Sequence, residues 1–210
     1  ITGANNLLFV DVEVNKTSAF VNEPVEVYYR IYLAPNLDVE LNKKIATKFN
    51  NFWSQTEDIQ GGWERSVVNN RVYKSKVFKK AILYPQKTGK LDIEPLSLDI
   101  ALRVPTNRRD IFGSPLMSRA NKVVSAGNST ITVKSLPESG KPIDFSGAVG
   151  DFSFDVNTSK KVLDASESFQ LKVAVKGNGN LKLFKLPKLS LPSSLEVYEP
   201  EHNEDINTAL

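Results

Sequence analysis

The chain has 210 residues, 40% of them hydrophobic and 24% charged, which is typical of folded globular proteins and disfavours disordered or collagen-like chains. Its 27 basic and 24 acidic residues leave a net charge of only +3, spread along the chain, so no nucleic-acid partner is expected. The absence of cysteine excludes disulfides, thiol catalysis and thiolate metal sites. We expect no membrane span, because no window approaches about 18 consecutive apolar positions, and no signal peptide, because residues 1–20 lack a basic start and an apolar core.

The first third of the chain alternates apolar and polar residues, a pattern that predicts half-buried β-strands. This alternation covers residues 8–14 and 25–33. Residues 72–84, the turn residues 85–89 and the run 91–102 together predict a hairpin, with a strand restart at Pro95 because proline cannot donate to a ladder. One stretch departs from alternation: Ile45, Phe49, Phe52 and Trp53 have the spacing of an amphipathic helix. Because Asn50 and Asn51 are poor helix formers, a helical turn and an irregular strand both remain open.

The second half of the chain contains a change of composition that predicts a domain boundary. Residues 105–127 are polar and predict a long excursion, which is followed by a strand at 129–133. Proline, glycine, serine and charge then concentrate in residues 136–142, which we assign as a linker between domains 1–135 and 143–210. In the second domain, residues 152–156 and 169–175 alternate, and Gly177-Asn178-Gly179-Asn180 predicts a tight turn.

The two domains open on similar sequences. Val14-Asn15, a lysine-containing turn and Asn22–Val27 in the first are matched by Val156-Asn157, a similar turn and Ser166–Leu171 in the second. This repeat favours an all-β fold of tandem immunoglobulin-like β-sandwich domains. Since a sandwich needs about seven strands and the second domain has room for half of them, we expect it to be truncated and the chain to be a fragment of a longer one.

The titratable residues form no catalytic or metal-binding motif. The single histidine, His202, lies among acidic residues and has no nucleophile nearby in the sequence, so it predicts a solvated surface residue. A calcium site between the domains would need Asp144, Asp151 and Asp155, of which the last two are about 13 Å apart on one strand. Trp53 or Trp63 could stack on a sugar, although such aromatics are more often core residues. No enzyme activity and no cofactor is therefore predicted.

An arginine-rich stretch is the strongest candidate for a binding surface. Arg103, Arg108, Arg109 and Arg119 bracket a short apolar segment that consists of Ile111, Phe112, Leu116 and Met117. Arginine, methionine and aromatic residues are enriched at the centres of protein interfaces. The sequence therefore predicts a protein-protein contact through Arg108, Arg109, Ile111, Phe112, Leu116 and Met117. The alternative is a loop that folds back on its own sandwich.

Three segments resemble the BatD family of exported bacterial aerotolerance, or oxygen-tolerance, proteins. They are Phe145–Phe154 (FSGAVGDFSF), the segment Gly177–Leu183 with Leu186-Pro187, and Phe9–Tyr32, and residues 85–98 are also similar although Glu94 stands where the family often has proline. The resemblance covers both predicted domains. Because the matching positions are turn and core residues, no catalytic role can be carried over from the family.

The resemblance implies a periplasmic protein that is anchored in the bacterial inner membrane by a segment outside this chain. It also implies partners among envelope proteins, such as von Willebrand A domain proteins of the same system, beside tetratricopeptide proteins and a MoxR-type ATPase. We therefore predict a non-catalytic interaction scaffold linked to stress or oxygen tolerance. Two alternatives stay open: a carbohydrate-binding or adhesin-like module that uses Trp53 or Trp63, and an accessory domain of a hydrolase.

Overall fold

The computed structural model describes residues 7–44, 48–186 and 188–207, and every regular element in this part of the chain is a β-strand. The chain separates into two compact units, Ile1–Leu136 (unit 1) and Pro137–Leu210 (unit 2). Unit 1 contains β1 (Leu8–Val14), β2 (Ser18–Phe20), β3 (Val25–Leu33), β4 (Asp38–Lys44), β5 (Phe52–Asp58), β6 (Glu64–Val68), β7 (Arg71–Pro85), β8 (Gly89–Ile93), β9 (Ser97–Arg109), β10 (Pro115–Ser125) and β11 (Ser129–Lys134). Unit 2 contains β12 (Gly150–Thr158) and β13 (Leu171–Gly179).

The first sheet of unit 1 is organised around β7. Its order is β1-β3-β7-β5, and β6 also pairs with β7. Because β7 is 15 residues long, its first part pairs with β6 and its second part with β5 on the same side. Asn69 and Asn70 join β6 to β7 with positive φ angles of 49° and 62°, as a two-residue hairpin turn requires.

The remaining strands of unit 1 form one long interrupted hairpin with two flanking strands. β8 pairs with β11 and β9 pairs with β10, both antiparallel, and both pairs keep the same register from Gly89↔Val133 through Arg103↔Arg119. Near Pro95 and Gly127 the two strands of this hairpin are interrupted together. β4 lies beside β9, and β2 runs parallel to β11.

A single apolar core takes side chains from all of these sheets. Along β3, buried and half-buried residues alternate without exception from Val25 to Leu33, because successive side chains of a strand point to opposite faces. The inward residues of β1, β3 and β7 meet those of β8, β9 and β11, including Leu8, Val27, Leu83, Ile93, Ile100 and Ile131. The architecture is thus all-β and consistent with a β-sandwich.

Two local predictions are wrong and one open alternative is decided, each because pairing between distant strands determined the structure. The segments 72–84 and 91–102 form no hairpin with each other: β7 pairs with β3, β5 and β6, whereas β8 and β9 pair with β11 and β10. Phe52 and Trp53 lie in β5, where pairing with β7 replaces the helical alternative, while Ile45 lies outside the described residues. Most of the predicted excursion 105–127 is strand, since the ends of β9 and β10 pair.

Unit 2 consists, among its described residues, of a two-stranded sheet and irregular chain. β12 and β13 pair antiparallel from Gly150↔Gly179 to Thr158↔Leu171, and none of their residues is buried; Phe154 and Val156 are 54% and 50% exposed. The predicted turn at Gly177–Asn180 is wrong, because Gly177 and Gly179 are strand residues. A Cβ at Gly177 would collide with the Asp151 carbonyl oxygen, so glycine there permits close approach of the two backbones.

The two units begin with the same hydrogen bonds, each displaced by 144 positions. Glu23 Oε1 accepts from Lys16 Nζ and its Oε2 from the Phe20 amide, at 2.7 and 2.8 Å. Glu167 repeats both bonds with Lys160 Nζ and the Asp164 amide, each at 3.2 Å. The residue before each glutamate, Asn22 or Ser166, has a positive φ. The β1/β3 register likewise recurs in β12/β13, where Phe152↔Gly177 matches Leu8↔Leu33.

Candidate functional site

The predicted contact residues lie on a projecting two-stranded hairpin. β4 pairs with β9 only as far as Asp38↔Arg103, whereas the pairing of β9 with β10 continues to Arg109↔Pro115. Residues 104–118, which we call the arm, therefore extend beyond the third strand of their sheet. Arg108 and Arg109 end β9, Ile111 and Phe112 lie in the connecting turn, and Leu116 and Met117 begin β10.

The turn at the end of the arm is held by a compact set of hydrogen bonds around Asp110. One carboxylate oxygen, Asp110 Oδ1, accepts from the Phe112 and Ser114 amides at 2.9 and 2.8 Å. The Asp110 amide donates to the Ser114 carbonyl, and the Gly113 amide, in a residue with a φ of 82°, donates to the Asp110 carbonyl. Arg109 Nη1 donates to the Gly113 carbonyl at 2.6 Å. These bonds fix the backbone conformation from which Ile111 and Phe112 project.

The apolar side chains of the arm are exposed. Ile111 is 93% exposed and Phe112 87%, while Leu116 and Met117 are 45% and 51% exposed. The alternative of a loop folded back on its own sandwich does not describe the turn, since its two large apolar side chains are almost fully exposed. Single exposed apolar residues are common, but four within residues 111–117 are an unusual concentration on one hairpin, which keeps the arm the candidate binding surface.

The arginines around the arm differ in how far they are neutralised. Arg103 and Arg119 are directly opposite each other in the β9/β10 register, and both approach one carboxylate, Glu40, at 3.7 and 3.8 Å. Arg119 also donates to Asn42 Oδ1 at 2.6 Å. The Arg108 amide donates to Thr106 Oγ1 at 3.2 Å, but within the described part of the chain the Arg108 guanidinium has no ion pair or hydrogen bond. The arm therefore carries uncompensated positive charge beside its apolar turn.

Three contributors to this surface were not recognised from the sequence. Asp110 is the first, although aspartate followed three residues later by glycine is a turn signal that could have placed the tip. Thr106 is the second: its hydroxyl donates to the Leu116 carbonyl at 2.8 Å and ties β9 to β10 at an irregularity in their register. Glu40 is the third, and no local signal marks it, because it reaches the arginines only through the distant pairing of β4 with β9.

The two tryptophans occupy different environments. Trp53 is half-buried and packs edge-to-face on Tyr84, with ring centroids 5.3 Å apart. Trp63 is 39% exposed, and the ammonium groups of Lys74 and Lys76 lie 5.4 and 5.1 Å from its ring centroid. Lys74 also donates to Asp38 Oδ1 at 2.8 Å, and this bond lowers the pKa of the Asp38 carboxyl. An accessible tryptophan beside charged groups thus exists, as the carbohydrate-binding alternative requires.

The remaining candidate groups do not cluster. His202 is exposed, and its Nε2 lies 3.0 Å from Glu204 Oε1. Across the described residues, no group of three or more histidine, cysteine, aspartate or glutamate side chains is arranged to hold a metal ion. The part of the chain covered by the structure contains no helix of the length and apolarity needed to cross a membrane.

Comparison with known proteins adds nothing to the geometry of the site. No protein-family model matches the chain, and no similar protein was found among curated sequences or solved structures.

Proposed function

We propose that this chain is a non-catalytic binding module that contacts another protein through the arm. The observation that carries the proposal is the combination at residues 108–117 of exposed apolar side chains, unpaired arginine and a backbone fixed by Asp110. An ordered projection loses little conformational entropy on binding, so its apolar contacts contribute more fully to affinity.

The finer architecture that we propose is a pair of tandem immunoglobulin-like sandwiches. Its support is the repeated opening of the two units: the same glutamate-centred turn and the same strand register recur 144 residues apart. On this correspondence β12 and β13 are the counterparts of β1 and β3. Residues 196–202 are then the counterpart of β5, which in unit 1 forms a strand only by pairing with β7.

The cellular setting of the proposal rests on the resemblance to the BatD family. It comprises a periplasmic location, an inner-membrane anchor supplied by a segment outside this chain, and a role as a scaffold in an aerotolerance or stress complex. The expected partner is a von Willebrand A domain protein of the same system.

The test is capture of partners from a bacterial envelope extract on the purified chain, with identification by mass spectrometry. The control is the double variant Phe112→Ala/Met117→Ala, which removes apolar surface from the arm and leaves its charges in place. Enrichment of von Willebrand A domain proteins on the wild type and their loss on the variant would support the proposal. Equal capture by both proteins, or no such protein on either, would contradict it.

The second candidate function is carbohydrate binding at Trp63, favoured by the exposure of this ring beside Lys74 and Lys76. It predicts glycan binding on an array that Trp63→Ala abolishes and the arm variant leaves unchanged. An aromatic ring that binds a sugar must present a free face. If Lys74 and Lys76 stay over the Trp63 ring, the array will show no glycan binding and this candidate function will be contradicted.

A further inference from the structure

The strand β10, whose first residues belong to the arm, also has an exposed outer edge. β10 is the edge strand of its sheet, in the order β10-β9-β4, and pairs only with β9 among the described residues. Its residues from Pro115 to Asn121 are all exposed. A strand edge of this kind presents a row of backbone donors and acceptors to which another strand can pair.

The register identifies which backbone groups of β10 face outward. The Ala126 amide donates to the Leu96 carbonyl at 3.0 Å, so the antiparallel alternation assigns positions 124, 122, 120 and 118 to bonds with β9. Pro105, which has no N–H, lies opposite Met117, as expected for a pair that exchanges no hydrogen bonds. The amides and carbonyls of Met117, Arg119, Asn121 and Val123 therefore point away from β9, to the side on which β10 pairs with no other strand among the described residues.

The charges along this edge indicate the chemistry of a strand that would pair there. Like charges directly opposite each other destabilise a sheet, and Arg103 and Arg119 form such a pair with a single carboxylate, Glu40, between them. A carboxylate on an added strand opposite Arg119 would neutralise the remaining charge. Segment 103–125 contains one acidic residue, Asp110, and five basic residues: Arg103, Arg108, Arg109, Arg119 and Lys122. Two copies of this edge would therefore repel each other.

We propose that the free edge of β10, residues 117–123, binds an acidic extended segment of a partner protein as an additional β-strand. Main-chain hydrogen bonds at Arg119, Asn121 and Val123 supply affinity, and the arginine pair selects acidic side chains. This inference rests on the proposed function and specifies its binding mode: the arm contributes the apolar contact and the adjoining edge contributes the strand pairing.

The test uses the whole chain and a fluorescent peptide of about seven residues that alternates valine with glutamate, with binding followed by anisotropy. Asn121→Pro removes one outward N–H, and proline is tolerated where the N–H of an edge strand faces solvent. Its matched control, Asn121→Ala, removes the same side chain and keeps the N–H. We expect Asn121→Pro to weaken binding by about tenfold or more and Asn121→Ala by less than about twofold.

Two further readouts locate and explain the binding. Amide exchange should slow at Arg119, Asn121 and Val123, and a peptide with lysine in place of glutamate should bind at least about tenfold more weakly. Equal binding to the two Asn121 variants, protection at another strand edge such as β13, or equal binding of both peptides would overturn the inference. So would self-association of the chain that Asn121→Pro relieves, or binding to vesicles containing anionic phosphatidylglycerol but not to the peptide.

The outcomes separate this inference from the proposed function. If capture of the von Willebrand A protein fails with Phe112→Ala/Met117→Ala but persists with Asn121→Pro, the arm is the contact and strand addition is wrong. If the peptide binds at β10 while the extract yields no such protein, the edge is a binding site and the proposed partner is wrong.

Discussion

The exposure of the arm predicts that Phe112→Ala/Met117→Ala leaves unit 1 folded. Complete burial of a phenylalanine or methionine side chain stabilises a protein by about 1.5–3 kcal/mol. Because Phe112 is 87% and Met117 51% exposed, the buried fractions that the variant removes amount to about 1–2 kcal/mol or less in the free energy of unfolding. The matched control is Ile100→Ala in β9, where the side chain is only 1% exposed and its removal leaves a cavity. This control should cost about 2–5 kcal/mol.

Tryptophan fluorescence during urea or thermal unfolding measures the difference in stability between these two variants in unit 1. Both tryptophans of the chain, Trp53 and Trp63, lie in unit 1, so their emission reports on that unit without a contribution from tryptophan in unit 2. We expect the arm variant to shift the thermal midpoint by only about 2–6 °C, and Ile100→Ala to shift it by roughly two to three times as much. A shift of the arm variant as large as that of Ile100→Ala would show that Phe112 and Met117 are core residues and would refute the interface assignment.

Three further predictions concern buried polar groups and the repeated turn. Tyr29→Phe should raise the free energy of unfolding by about 1 kcal/mol in urea titrations, because the buried Tyr29 hydroxyl has no hydrogen-bond partner in the described structure; a loss of stability would reveal a partner. Burial also raises the pKa of Tyr29 from 10.0 to about 12, so the wild type should lose stability as pH rises from 10 to 12, and Tyr29→Phe should lose less. Asn180→Ala removes bonds to the Val149 amide and the Gly147 carbonyl, at 2.7 and 2.8 Å, and should speed amide exchange in unit 2 without moving the fluorescence midpoint; unchanged exchange would contradict that role. Glu23→Gln and Glu167→Gln should each loosen the turn of their own unit, measured by local amide exchange, and an effect at only one site would argue against equivalent turns.

Short-range patterns predicted the strands well where one face is buried. The alternation in residues 8–14 and 25–33 is confirmed by β1 and β3, and the strand restart at Pro95 by the gap between β8 and β9. The sequence also indicated the repeated opening of the two units, because the glutamate-centred turn depends on residues within seven positions of each other. These features follow from side-chain periodicity and local hydrogen bonding, which any single segment contains.

Features that depend on partners far along the chain could not be predicted in this way. Residues 177–179 of the predicted turn are strand because β12 pairs with them, and Phe52 and Trp53 are strand because β7 pairs with them. The same holds for the candidate site: the sequence alone singled out the six residues from Arg108 to Met117, all of which lie on the arm. Only the tertiary structure decided three further features: the projection of the arm, the sharing of Glu40 by two arginines and the unpaired edge of β10. Strand order and register determine these features, and they join residues that are too far apart in the sequence to leave a local signal.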